Sequence, residues 1–250
     1  MLLDLIHRYT LLDILLIVIL CILLPTLRMT RHLWGAQVKI GETLPRIYFN
    51  LALIGFPLAL LAWDWAMAGR SVRELGLAVP VPLRGQIGFV VAGAIIVVLL
   101  IRARAQTLKR NPQKAATRRA QLEDAGMLMH TPAELRAFGA LAFVQGFGAE
   151  ILFRGFLLWA LAPIAGIAGA VAIAATAYGI GHGSRSWERV LVSSLTAYAF
   201  TIAYAVTHSL WWLMLLHTFV LAHNAWRGYR LSQEMVPRTE EIALVPGDGL

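Results

Sequence analysis

Four ionisable side chains, Glu150, Arg154, His182 and His217, sit inside apolar runs of the sequence. Charged groups are expensive in hydrocarbon and ordinarily face a bundle interior or a wet cavity. Glu150 and Arg154, within GAEILFRG (148–155), are spaced i, i+4, so on a helix they share a face and can pair. For that pair alone, a structural ion bridge and half of a catalytic site are equally good readings. A lone membrane histidine is more often a packing residue than a ligand. Taken together, a carboxylate, a guanidinium and two imidazoles have the ingredients of acid–base or metal-assisted hydrolysis. Should a metal sit among them, Glu150, His182 and His217 are the candidate ligands, and zinc is the metal expected of two imidazoles and a carboxylate.

The other histidines weigh less. His7, His32 and His130 fall in terminal or loop sequence, and His208 in an expected turn. His223 is six residues past His217 and so faces elsewhere on a helix. Asn224, seven past, returns to nearly the same face, but about two turns (~10 Å) further along.

The elements that must position these groups follow from composition. Of 250 residues, 58% are hydrophobic and 14% charged, and the mean hydropathy is +0.67. This is far more apolar than an ordinary soluble domain. A bilayer-spanning helix needs about 20 mostly apolar residues, and about seven such segments can be drawn. They cover roughly 11–27, 47–68, 86–102, 135–162 and 164–182, and a run over 189–226 that is too long for one crossing. A break near Thr207-His208-Ser209 divides that run into a sixth and a seventh helix. Two tryptophans, Trp63 and Trp65, stand at an interface-like position near the end of the second. The first segment lacks a small-x-small cleavage site and is followed by Pro25-Thr26-Leu27-Arg28, so it reads as a retained anchor. The fold expected is an all-α polytopic transmembrane bundle. The single cysteine, Cys21, permits no internal disulfide.

Basic residues set the orientation. Arg28, Arg31, Lys39 and Arg46 lie in the first loop, eight more between Arg102 and Arg136 in the third, Arg185 and Arg189 in the fifth, and Arg227, Arg230 and Arg238 in the tail. The opposite side has only Arg8, Arg70, Arg73 and Arg84. By the positive-inside rule the odd loops and the C-terminus face the cytoplasm, in the inner (plasma) membrane. The net charge of +8 then belongs to topology, and no nucleic-acid partner is expected, because no folded soluble region is available to carry one. The basic stretch 103–134 reads as a solvated loop, with contact to anionic lipid headgroups as the other reading.

Three segments carry a further signal. They are HTPAELRAFGALAFVQGFGAEILFRGFL (130–157), AATAYGIGHG (174–183) and SLWWLMLLHTFVLAHN (209–224). In order and separation they resemble the CPBP family of CAAX proteases and bacteriocin-processing enzymes, whose motifs are E-E-x-x-x-R, F-x-x-x-H and H-x-x-x-N or D. ELGLAVPVPLRG (74–85) is also similar to the family's lead-in. The resemblance implies a helical bundle with a polar cavity open to the cytoplasm. In it, the first glutamate and the second-motif histidine activate water, while the last histidine and the asparagine stabilise an oxyanion. It makes Glu150 the second glutamate, Arg154 the arginine, His182 the second-motif histidine and His217 the last histidine. Tyr178 replaces the motif phenylalanine, an exchange expected to be mild. The implied activity is that of an intramembrane metallo-endopeptidase. Its implied partners are the bilayer and a membrane-associated or lipidated peptide or protein substrate. Eukaryotic relatives cleave prenylated C-terminal CaaX sequences. Bacterial ones are associated with bacteriocin maturation, immunity and membrane-protein processing.

Two positions depart from the pattern. Ala149 stands where the water-activating glutamate belongs, and Leu221 where the asparagine belongs. A methyl group can neither take a proton nor hold a metal. Losing a general base typically costs about 10²–10⁴-fold and losing an oxyanion donor about 10²–10³-fold. The alternative to a weakened protease is therefore an inactive relative that binds membrane proteins or peptides in an immunity or scaffold role. A transporter is a third reading, disfavoured by the lack of an inverted repeat. The expected organisation is N-terminal helices and a basic loop (1–129), a CAAX protease-like core (130–226) and a flexible tail (227–250).

Overall fold

The computed structural model describes residues 8–27, 43–108, 112–183 and 187–234. The sequence-based expectations for 28–42, for the end of the tail and for His7 and His32 lie outside them. Among the described residues every regular element is helical. Helix α1 (Leu11–Leu27) starts on a Thr10 cap. The Thr10 hydroxyl accepts from the Asp13 amide at 3.1 Å, and the Asp13 carboxylate accepts from the Thr10 amide at 2.9 Å. Helix α2 (Thr43–Met67) ends before a one-turn 3₁₀ helix, Val72–Leu75. Gly76 closes that turn at φ 80°, where Tyr204 lies too close for any side chain, and its carbonyl accepts from the Leu210 amide at 3.0 Å. The ELGL segment, ahead of the third helix, is thereby tied to the turn that precedes the last helix. Helices α3 (Leu83–Leu108) and α4 (Pro112–Asp124) follow.

Helix α5 (Pro132–Glu150) begins with a second capping box, between Thr131 and Glu134, with Pro132 at its first position. It passes through a π turn, Ile151–Phe156, into α6 (Leu157–Gly183). Residues Pro132–His182 form one apolar stretch of 51 residues, too long for one crossing at about 1.5 Å per residue. Gly166, at φ 68° and three residues after Pro163, breaks it close to the 162–164 boundary expected from the sequence. Helix α7 (Trp187–Thr207) ends at His208, a left-handed residue at φ 48°, and α8 (Trp211–Gln233) follows. The expected break at 207–209 is where the chain turns.

The stretches Thr43–Met67, Leu83–Ala105, Pro132–His182 and Val190–Thr207 are long and apolar enough to cross a membrane. Large apolar side chains such as Ile87, Val90, Leu191 and Leu195 point outward. This is what a bundle surrounded by lipid requires and a soluble one avoids. Inside, α5 packs against α2 and α8, and α6 packs along α7. The α5–α8 approach depends on Gly146, since a methyl group there would collide with Thr218.

One end of the bundle is tied by a buried ionic cluster. Arg70 reaches Asp13 at 2.7 Å and Asp64 at 3.3 Å, and the Thr10 hydroxyl donates to Asp64 at 2.8 Å. The guanidinium lies over Trp159 and Trp65, 4.7 and 5.2 Å from their ring centroids. Of the two expected interface tryptophans, Trp63 does face outward, whereas Trp65 is buried against Trp159. The cluster clips α1 and α2 to α6. Replacing Arg70 with Leu leaves the buried Asp13 carboxylate with the Thr10 amide and the Asp64 carboxylate with the Thr10 hydroxyl, and neither with a counter-charge from this cluster. Because the arginine is partly exposed, some water can reach them, and a loss of about 2 kcal/mol is expected. Thermal unfolding of the detergent-solubilised chain measures it; an unchanged midpoint would show that the clip holds nothing.

The opposite end differs from the sequence reading. Residues 103–134 are not simply a solvated loop, because α4 lies against α8. Leu122, Leu128 and Met129 are buried, Arg118 donates to the Asn224 side chain at 3.0 Å, and Arg46 donates to the Gly126 carbonyl at 3.2 Å. Short apolar insertions in a strongly basic stretch are what the composition hides.

Candidate functional site

Glu150 closes α5, and the π turn begins with the next residue. Widened turns of this kind are frequent where a helix must re-aim side chains at a functional site. Glu150 and Arg154 are both essentially sealed from solvent, and their i, i+4 spacing brings Arg154 Nη1 to 3.5 Å from Glu150 Oε1. The same oxygen accepts from His217 Nδ1 on α8 at 2.8 Å. The carboxylate thus has a guanidinium on one side and an imidazole N–H donor on the other, the charge-assisted arrangement that fixes its position. The Arg154 guanidinium also lies over the Tyr178 ring, 4.0 Å from its centroid.

Helix α6 supplies Tyr178 and His182, whose rings stack at 3.9 Å between centroids. His182 Nδ1 donates to the Tyr178 carbonyl at 3.3 Å, and its Nε2 accepts from the Gln145 amide at 2.6 Å. With His217 Nδ1 donating to Glu150, the other nitrogen, Nε2, accepts from the Tyr178 hydroxyl at 3.4 Å. The tyrosine exchange is therefore more than mild, because the added oxygen occupies the histidine nitrogen that Glu150 leaves open.

The four residues singled out by sequence do approach one another, but in two groups. Glu150, Arg154 and His217 form one, and His182 with Gln145 forms the other; Tyr178 links them. Gln145 was missed by the sequence reading. It lies one turn before Ala149, at i−4, and that spacing was the available signal. The two departures from the motif are packing residues. Ala149 is wholly buried in the main apolar core, and Leu221 packs on a second cluster with Ile47, Phe138 and Leu141. Asn224 does not turn toward His217, being held by Arg118.

A zinc site needs three or four convergent donors with free lone pairs. Among the described residues no group of three or more His, Cys, Asp and Glu side chains is gathered to hold a metal. His182 is committed to Gln145, His217 to Glu150 and Tyr178, and position 149 offers a methyl group. As arranged, these residues do not fit the metal.

Fold and site together define an integral membrane protein: an all-α bundle with a buried Glu–Arg–His core between α5, α6 and α8. Residues 131–222 match the family model described as type II CAAX prenyl endopeptidase Rce1-like. This match supports a CPBP-type domain over those residues, and Glu150, Arg154, His182 and His217 all fall within it. Neither the curated proteins nor the solved structures give a match.

Proposed function

We propose that this CPBP-type protein binds membrane-associated or lipidated peptides or proteins without cleaving them. The observation that carries this reading is the occupancy of the would-be catalytic groups by the protein itself. Glu150 Oε1 is shared by His217 and Arg154, His182 Nε2 is taken by Gln145, and His217 Nε2 by Tyr178. The position of the water-activating carboxylate is a buried methyl group, Ala149. Apart from Glu150 Oε2, a water molecule at this site finds no uncommitted base within the motif to take its proton. What survives is a buried, charge-paired core in a lipid-facing bundle, and a binding rather than a catalytic role, in immunity or as a scaffold, suits it. On this proposal the C-terminus is cytoplasmic and the chain lies in the inner membrane, a reading that the segregation of arginines supports.

Hydrolysis by Glu150 with His182 and His217 is the second reading. It is favoured by one observation, that Glu150 Oε2 has no hydrogen-bond partner among the described residues. One assay separates the two. The full chain in proteoliposomes is incubated with fluorogenic membrane peptides, prenylated and unprenylated, each carrying a photo-crosslinker. Crosslinking without hydrolysis above a His182→Ala control is the expected result. Hydrolysis clearly above that control would overturn the binding reading.

A further inference from the structure

The residues one turn to either side of Gln145 on its face of α5, Leu141 and Ala142 before it and Gly148 and Ala149 after it, are all buried. Gln145 itself is only half-buried, as is His182, its partner on α6. Glu150 and Arg154 are sealed. The Gln145–His182 pair is therefore a reachable part of a site whose charges are shut away.

The chemistry of the pair fixes which way the glutamine points. A carbonyl oxygen can only accept, so His182 Nδ1, 3.3 Å from the Tyr178 carbonyl, carries the ring hydrogen. In the neutral imidazole Nε2 is then an acceptor, and the group facing it at 2.6 Å is the Gln145 amide nitrogen rather than the oxygen. One amide hydrogen is used there. The second hydrogen and the Oε1 carbonyl have no hydrogen-bond partner among the described residues. A planar group offering one acceptor and one donor complements a peptide main chain. In an extended segment the N–H and C=O of one residue point to the same side, so both can pair with one neighbour. An intact helix cannot use this group, because its own turns consume its N–H and C=O. An acyl or prenyl chain has neither donor nor acceptor to offer it.

We propose that Gln145, held by His182, is the main-chain handle of the site, hydrogen-bonding the N–H and C=O of one residue in an extended stretch of the bound membrane peptide. This rests on the reading that such a peptide is bound, and it adds how the peptide is recognised. The ligand is gripped where its helix is unwound, through backbone that every sequence shares. Side-chain identity at the gripped residue matters little, and a non-helical stretch is required.

The test uses the full chain in proteoliposomes and photo-crosslinking membrane peptides made as a series, one backbone N–H methylated at a time. The half-saturating concentration for crosslinking is measured. Methylation at one peptide residue should raise it about tenfold, and methylation elsewhere should change it little. Gln145→Met, close in size and without the amide, should bind the unmethylated peptide about tenfold more weakly. It should respond no further to methylation at the sensitive residue. A merely structural glutamine would weaken the whole series alike and leave the sensitive position in place, which would overturn the proposal. So would a flat series on the unaltered chain, the result expected if only water meets the carboxamide. Should Gln145→Met not fold, the labelled residues decide. A crosslinker beside the sensitive residue should mark α5 within 141–149 or α6 within 178–183, and marking elsewhere would overturn the proposal. No crosslink by any peptide to the unaltered chain would instead remove the binding reading, and this proposal with it.

Discussion

Glu150→Gln should lower the thermal midpoint of the solubilised chain by roughly 10 °C, the equivalent of about 3–5 kcal/mol. The change removes one charge and almost no volume, so packing is not what is lost. It leaves Arg154, only 1% exposed, without its counterion. Arg154 Nε and Nη1 already lack hydrogen-bond partners among the described residues, so no spare acceptor is at hand. His217 Nδ1 would face an amide, a weaker acceptor than a carboxylate. The Tyr178 ring still attracts the guanidinium, but that contact is worth about 1–2 kcal/mol and cannot replace a charge.

The same reasoning predicts a rescue. Removing both charges, Glu150→Gln with Arg154→Met, should recover most of the loss, because apolar replacement of a buried pair is often near neutral. Methionine also keeps a favourable contact with the Tyr178 ring. The four midpoints form a double-mutant cycle whose coupling measures the ion pair. A Glu150→Gln protein that melts with the parent would show that the carboxylate does not hold Arg154 in place. A double variant no better than the single would show that Arg154 is needed for packing.

Much of this site could be read from the chain alone, and the reasons are local. An i, i+4 spacing fixes a shared helix face, so the Glu150–Arg154 pairing was available from two residues. The turn at His208 was legible because α7 and α8 together exceed any bilayer thickness. The motif order carried His182 and His217 to the right helices. Gln145 and the Tyr178 hydroxyl were not legible in function, because a neutral amide and a phenol carry no charge penalty to mark them. What they touch depends on the relative rotation of α5, α6 and α8. That rotation is influenced by the π turn after Glu150, which leaves no signature in the periodicity of an unbroken apolar run. Helix α4 was hidden for a different reason. Its apolar contact comes chiefly from Leu122, too little to show as a stripe in so basic a segment.

The tyrosine and the glutamine decide what restoring the motif should do. Ala149→Glu returns the carboxylate that the family pattern places there, and on motif reasoning alone it should switch hydrolysis on. The packing argues the opposite. Ala149 is fully buried in the core that also holds Leu152, Phe153 and Ile54. At the preceding position, a methyl group on Gly148 would already meet Ile54 and Leu58 of α2 at 3.0 and 3.1 Å. Forcing in a longer side chain costs about 1–3 kcal/mol in strain. Its charge costs several more, since the buried cation, Arg154, is already matched by Glu150. Leu221→Asn adds a cavity and an unpaired amide beside Phe138 and Leu141, a further loss of about 2–4 kcal/mol. The expected outcome is a chain that melts lower with each change and hydrolyses no membrane peptide. His182 stays on Gln145 and His217 on Tyr178, so a restored carboxylate finds no free imidazole to work with. A double variant that keeps the parent midpoint and cleaves above its His182→Ala counterpart would overturn this. It would mean that the two substitutions alone silence a site otherwise ready for hydrolysis.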